Sequence, residues 1–231
     1  MTTNSPSDVG MIDECLSIVR TSLARCFQQQ APSIQATWPL SGRAVSEIGG
    51  RLVESFVLAR LPHELSTTPF DGQILCEIPE SGRAMEDIAV TFIGPHGRAR
   101  LLIDVKGHNE YRTGSRPNLA SIRKCLELYR SSSHTVDELV VFFCRYRPSV
   151  HPDHHAQAVE YHVLPESFNE QGIFLLRALS ESNLDPANIG SGGQLLLARE
   201  NNIRLVNRSR SEFVQLLEGL QSRLQRGRST V

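Results

Sequence analysis

Lysine is nearly absent from this chain: Lys106 and Lys124 stand against 22 arginines in 231 residues. With a net charge of −1, the protein is no polycation that coats nucleic acid by bulk electrostatics, although a local basic surface remains open. Nowhere do about 18 apolar residues run together, so no transmembrane helix is expected. Residues 1–10 are polar, carry Asp8 and lack the basic flank and apolar segment of a signal peptide, which predicts a cytoplasmic protein. The five cysteines (Cys15, Cys26, Cys76, Cys125, Cys144) are odd in number, scattered and never spaced as CxxC. They read as reduced core residues with no metal or redox role. No Gly-rich phosphate loop follows a strand, because Gly190-Ser191-Gly192-Gly193 lies late and matches no nucleotide-binding fingerprint. Internal repeats and low-complexity segments are also missing.

What is present suits an ordinary globular protein, 40% hydrophobic and 21% charged, long enough to bury a core without disulfides. A single domain over residues 1–231 is expected, with 1–10 a disordered leader and 190–231 a C-terminal extension. Apolar spacing predicts a helix over Met11–Gln28, and Gln29–Leu40 reads as a connector. A second helix is predicted from Ser41 to Leu61, with Val45, Ile48, Leu52, Phe56 and Ala59 as its buried stripe and Pro62 as its stop. The period then changes to two. Strands are predicted over Gln73–Ile78, Asp87–Ile93 and Ala99–Lys106, with Gly94-Pro95-His96-Gly97 as the turn between the last two. A helix over Asn118–Arg130 follows, capped by Asn118 in one reading, then strands over Glu138–Tyr146 and Glu160–Leu164. Short apolar runs at Gln194–Ala198 and Ile203–Val206 lead to a last helix, opened by a Ser209/Glu212 capping box and fraying from Arg226. Helix, three-stranded meander, helix and strand in that order predict a mixed sheet flanked by helices, an α/β sandwich.

The hairpin carries the chemistry. If it turns symmetrically between Pro95 and His96, residues whose numbers sum to 191 face each other, so Asp87 opposes Asp104 with Cβ atoms roughly 4.5–5.5 Å apart. Two facing carboxylates repel, a cost that makes sense if a divalent cation sits between them. Asp104 and Lys106 are two apart and emerge on one face, while Ile103 and Val105 point to the other, expected to be the apolar one. A one-residue slip would break the arrangement. Gly107 is expected to end the strand. In a chain that otherwise uses arginine for positive charge, a lysine at this place suggests a compact point charge or proton donor. Two basic stretches supply candidate phosphate-binding surface: eight basic against three acidic residues over 98–130, and seven against three over 199–228.

Asp87, sixteen residues, then Asp104-Val105-Lys106 resembles the PD-(D/E)xK nuclease motif, and the element order around it is similar to that superfamily's common core, over residues 41–146. Glu86 stands where the family name has proline. Ser115-Arg116-Pro117-Asn118-Leu119, leading into a helix, is similar to the segment after the active-site strand in several type II restriction endonucleases. The resemblance implies a restriction-endonuclease-like three-layer sandwich and a type II site-specific deoxyribonuclease that cuts double-stranded DNA with Mg²⁺. It implies that Asp87, Asp104 and the Val105 carbonyl bind the metal, which orients a water and stabilises the scissile phosphate, and that Lys106 positions or deprotonates that water. A glutamate on the preceding helix often completes such a site: Glu54 is preferred, because Gly50-Arg51-Leu52-Val53-Glu54 resembles the family's small-residue approach to that position, and Glu47 is second. A homodimer is expected, since a symmetric site is cut most simply with two-fold symmetry, together with a partner DNA methyltransferase. A repair or recombination nuclease and a non-cleaving nucleic-acid-binding domain are the alternatives.

Arg112, Arg116, Asn118 and Arg123 are candidate DNA contacts because they follow the motif strand. Gln194 and Asn201-Asn202 suit base edges and turns equally. The cluster His151, Asp153, His154, His155 is read as a polar loop rather than a zinc site, because Pro152 interrupts it and no second ligand pair lies near.

Overall fold

Helical spacing at the start of the chain produces α1 (Pro6–Gln29), which buries Ile12, Cys15, Leu16, Val19, Leu23 and Cys26. The computed structural model of the protein describes residues 6–80, 84–95, 97–111, 116–131, 136–152, 157–187, 193–198 and 202–228. Residues 6–10 belong to α1 rather than to the leader: proline suits a first helical turn, where its missing N–H has no partner to lose. After α1 come β1 (Ser33–Ala36), α2 (Gly42–Ser66), β2 (Gln73–Glu77), β3 (Ile88–Gly94), β4 (Gly97–Asn109), β5 (Asn118–Ser121) and α3 (Ile122–Arg130). The chain continues through β6 (Val136–Pro152), β7 (Gln157–Val163), β8 (Ile173–Leu175), β9 (Leu184–Ala187), β10 (Gln194–Leu197) and α4 (Arg210–Arg228).

A seven-stranded mixed sheet runs β1-β7-β6-β4-β3-β2, with β8 added on β6. β4 and β6 are parallel, joined through α3, and the other pairs are antiparallel. Period-two alternation sorts the strand residues into two cores. Ile88, Val90, Phe92, Leu101, Ile103, Val105, Val140 and Phe142 pack with α1 and α2, whereas Ala89, Leu102, Val141 and Phe143 pack with α3, α4 and a small β5-β10-β9 sheet. The expected mixed α/β architecture is present, with helices on both faces. β10 and α4, from the expected C-terminal extension, are part of the second core.

Several boundaries differ from the expectation, each for a packing reason. Pro62 does not stop α2. Leu61 and Leu65 on either side of it are fully buried, and two such burials, worth about 1.5–3 kcal/mol each, offset the ~3 kcal/mol cost of an interior proline. The buried stripe is Val45, Gly49, Val53, Val57, Leu61 rather than Ile48, Leu52, Phe56 and Ala59, and Ala59 is exposed. Gly49 explains the rotation: a Cβ there would lie 2.4 Å from Tyr161 Cε1, so the helix presses its glycine face onto Tyr146 and Tyr161. The connector contains β1, which pairs with β7 from Ser33↔Glu160 to Ala36↔Gln157. Asn118 caps no helix. It lies in β5, and Ser121 is the α3 N-cap. The apolar run Ile203–Val206 contributes one bridge, between Leu205 and Leu179. The Ser209/Glu212 capping box is formed, with both reciprocal bonds, at 3.3 and 2.7 Å.

Candidate active site

The symmetric hairpin register holds throughout. Gly94 pairs with Gly97 and Ile88 with Ile103, which sets Asp87 opposite Asp104 at the next position. Asp87 is tied on both sides: its N–H donates to the Ile103 carbonyl (2.9 Å) and its Oδ2 accepts from the Val105 N–H (2.7 Å). This carboxylate therefore straps the start of β3 to β4.

Asp104 is 3% exposed. The expectation of one apolar face and one open face is corrected here, because both faces of the hairpin are covered and Asp104 projects beside Leu102 into the margin of the second core. Its Oδ1 pairs with Lys106 Nζ, and its Oδ2 is buried with no hydrogen-bond partner. Burial pushes the Asp104 carboxyl up to about 8. The Lys106 ammonium pulls the other way, and the charges of Asp87 and Glu54 add to the rise. Holding this group ionised at pH 7 thus costs on the order of 1 kcal/mol, and a cation would recover it.

Glu54 comes from the opposite layer. Its approach depends on Gly50 and Gly107, which bring α2 and β4 into backbone contact: a Cβ on Gly107 would sit 2.8 Å from Gly50 Cα. Gly107 does not end the strand, which continues to Asn109. The i,i+4 row Ser46, Gly50, Glu54 therefore faces Lys106, Gly107 and Asn109 across a cleft of about 340 Å³. Glu54 is 27% exposed, paired with Arg51 at 3.3 Å, and lies next to buried Val53. Glu47 also borders the cleft, but it is 54% exposed and paired with Arg43 at 2.8 Å. Among the described residues no three Asp, Glu, His or Cys side chains gather at metal-binding range, so Glu54 stands near the Asp87–Asp104 pair without joining it.

The donor set nonetheless fits a hard cation. Mg²⁺ takes one or two carboxylates and keeps several waters, and this pair of carboxylates includes a buried oxygen that nothing else satisfies.

Among the candidate DNA contacts, Arg116 borders the cleft and pairs with Asp185. Asn118 is exposed in β5, and Arg123 is exposed on α3 with Glu127 at 3.4 Å. Arg112, Asn201 and the cluster members Asp153, His154 and His155 lie outside the described residues, as do Gly190, Ser191 and Gly192. Gln194 is half-buried in β10. Cys15, Cys26, Cys125 and Cys144 are buried free thiols and Cys76 is half-buried. Burial pushes Cys15, Cys26 and Cys125 up to about 12, which suits inert core residues.

Sequence reasoning missed His108 and Arg145. Alternation continues past Lys106 to put His108 on the same face, and the parallel register sets Arg145 beside it (His108↔Arg145). Recognising that β4 reaches Asn109 would have found the first; the second needs the β4–β6 register. No known protein family and no curated protein matches the chain. No helix among the described residues is long and apolar enough to cross a membrane.

Proposed function

We propose that the protein is a Mg²⁺-dependent endonuclease that hydrolyses phosphodiester bonds of double-stranded DNA, with a PD-(D/E)xK site on a restriction-endonuclease-like sandwich. The observation that carries this reading is the facing pair Asp87 and Asp104, with Asp104 Oδ2 buried and unpartnered beside Lys106. Burying a carboxylate oxygen without a hydrogen-bond partner costs free energy that a bound cation would recover.

Asp87, Asp104 and the Val105 carbonyl would hold the ion. When bound, it supplies Lewis-acid charge on the scissile phosphate and at the leaving oxygen. Asp87 keeps the donor set rigid through its bond to the Val105 N–H. Lys106, paired with Asp104 and lining the cleft, would face the phosphate, hold the attacking water and offset the charge that grows on the phosphoryl oxygens. In the reaction the water oxygen bonds to phosphorus, one ester P–O bond breaks and the leaving oxygen takes up a proton. Glu54 sits at the cleft wall, where it can accept a hydrogen bond from that water or lower the local potential.

The type II restriction role, as a homodimer paired with a methyltransferase, is the preferred setting. Incubation with mixed-sequence plasmid DNA and Mg²⁺ tests it: discrete fragments support restriction, smears support a nonspecific repair-type nuclease, and no cutting overturns the nuclease reading. Asp104→Ala should abolish cleavage with the fold intact, and persistent cutting would sink the site assignment.

A further inference from the structure

β4 outruns its antiparallel neighbour. β3 begins at Ile88, opposite Ile103, and beyond that pair no strand among the described residues lies on that edge of β4. Successive residues of a strand turn their N–H and C=O groups to opposite edges. The Ile103 carbonyl accepts from the Asp87 N–H (2.9 Å) and the Val105 N–H donates to Asp87 Oδ2 (2.7 Å), so odd-numbered residues turn to the open edge. Just past the strand, the Glu110 N–H donates to the Tyr146 carbonyl (3.1 Å), so even-numbered residues turn to β6. The β4–β6 register is unbroken from Ala99 to Asn109, which keeps this alternation in step. The Val105 carbonyl and the Gly107 N–H are therefore neighbours on the open edge.

Gly107 lines the cleft together with Lys106 and Arg116. α2 touches it from above: a Cβ at Gly107 would meet Gly50 Cα at 2.8 Å. A Cβ points out of the sheet, whereas the N–H lies in its plane, so α2 covers the face of Gly107 and leaves the edge to the cleft. Among the described residues no acceptor meets this N–H. A backbone donor so placed needs water or a ligand as its partner. Backbone N–H groups are among the donors that hold phosphate oxygens, and their bonds to an anion are stronger than those between neutral groups. One fixed on a strand also costs no reorganisation when charge develops on the oxygen.

We propose that the Gly107 N–H is a backbone donor to a non-bridging oxygen of the phosphodiester group that Lys106 faces. This rests on the nuclease reading and adds to it a substrate contact made by the main chain, one residue past the lysine.

Amide hydrogen exchange read by NMR tests this in the intact protein, with plasmid cleavage in Mg²⁺ measured separately. In the free protein the Gly107 amide should exchange at least about tenfold faster than those of Lys106 and His108, which the β6 ladder holds. A saturating short mixed-sequence duplex, added without metal, should slow Gly107 by about tenfold and move its amide proton signal downfield. Slow exchange at Gly107 in the free protein overturns the proposal, because it reveals an acceptor within the protein. Slowing without a downfield shift also overturns it, since that marks exclusion of water alone. Binding that shifts the Gly107 signal, with no cleavage, overturns the nuclease reading and leaves the donor standing. Cleavage with an unmoved Gly107 signal in the saturated complex does the reverse. A protein that neither binds the duplex nor cuts overturns both.

Discussion

Two buried carboxylates sit on neighbouring strands and are treated in opposite ways. Glu138, near the start of β6, is fully buried. Its Oε1 accepts from Arg177 Nε (3.0 Å) with Arg210 at 3.7 Å, and its Oε2 accepts from the Tyr129 hydroxyl (3.3 Å). Asp104, on β4, is nearly as buried, yet one lysine serves its Oδ1 and nothing serves its Oδ2. Burial pushes both carboxyls up, but two guanidiniums oppose the rise at Glu138. The saturated group ties β6, α3, the Arg177 turn and α4 into one network. The unsaturated group lies next in sequence to Val105 and pairs with Lys106, both of which line the cleft. The two groups differ in hydrogen bonding, not in burial.

The comparison can be broken by mutation. Glu138→Ala leaves two buried guanidiniums without their anion and should cost about 3–5 kcal/mol in denaturant unfolding, while cleavage per folded molecule is preserved. Equal stability in the variant would remove Glu138 from the structural role. Asp104→Asn should move the other way, gaining roughly 1–3 kcal/mol while cleavage is lost. In addition, Mg²⁺ should raise the melting temperature of the wild type and not of this variant.

A difference in pH response sharpens the point. The folded-state pKa of Asp104, about 8, lies above its ordinary 3.8, so folding favours the protonated form. Its contribution to stability is fully present below about pH 3.8 and is lost as pH rises through 8. The stability advantage of Asp104→Asn should therefore grow between pH 4 and about 8, and a pH-independent difference between the two melting curves would contradict it. Gly107→Ala should cost about 1–3 kcal/mol, because its Cβ meets Gly50 Cα at 2.8 Å, and should reduce cleavage by displacing α2 and Glu54. The smallest effect falls to Glu47→Gln, whose exposed pair with Arg43 should matter by less than ~0.5 kcal/mol and leave cleavage unchanged. Glu54→Gln should slow cleavage in the same assay, and equal rates would remove the distinction between the two glutamates.

Much of the hairpin was legible because its geometry is local. The pairing of Gly94 with Gly97 and unbroken alternation set the register, so the facing of Asp87 and Asp104 followed from counting residues. The helix around Glu54 was legible as a helix but not in its rotation. Ile48 and Leu52 look like stripe residues by hydropathy, and only the fit of Gly49 against Tyr146 and Tyr161 turns the buried line onto 45, 49, 53 and 57. The small β5-β10-β9 sheet was partly hidden for the same reason. Asn118–Ser121 is short, pairs with a strand more than 70 positions later, and shows no pattern of its own.

By itself the sequence determined the period-two hairpin, its register and the shared face of Asp104 and Lys106, since each depends on residues within one turn of chain. Only the tertiary structure decided that this face is covered, that Asp104 Oδ2 is buried without a hydrogen-bond partner, and that Arg145 stands beside His108. Those properties come from layers packed on both sides of the sheet and from the parallel β4–β6 register, which joins residues almost 40 positions apart. No local pattern can encode desolvation, because it is set by what arrives from elsewhere in the chain.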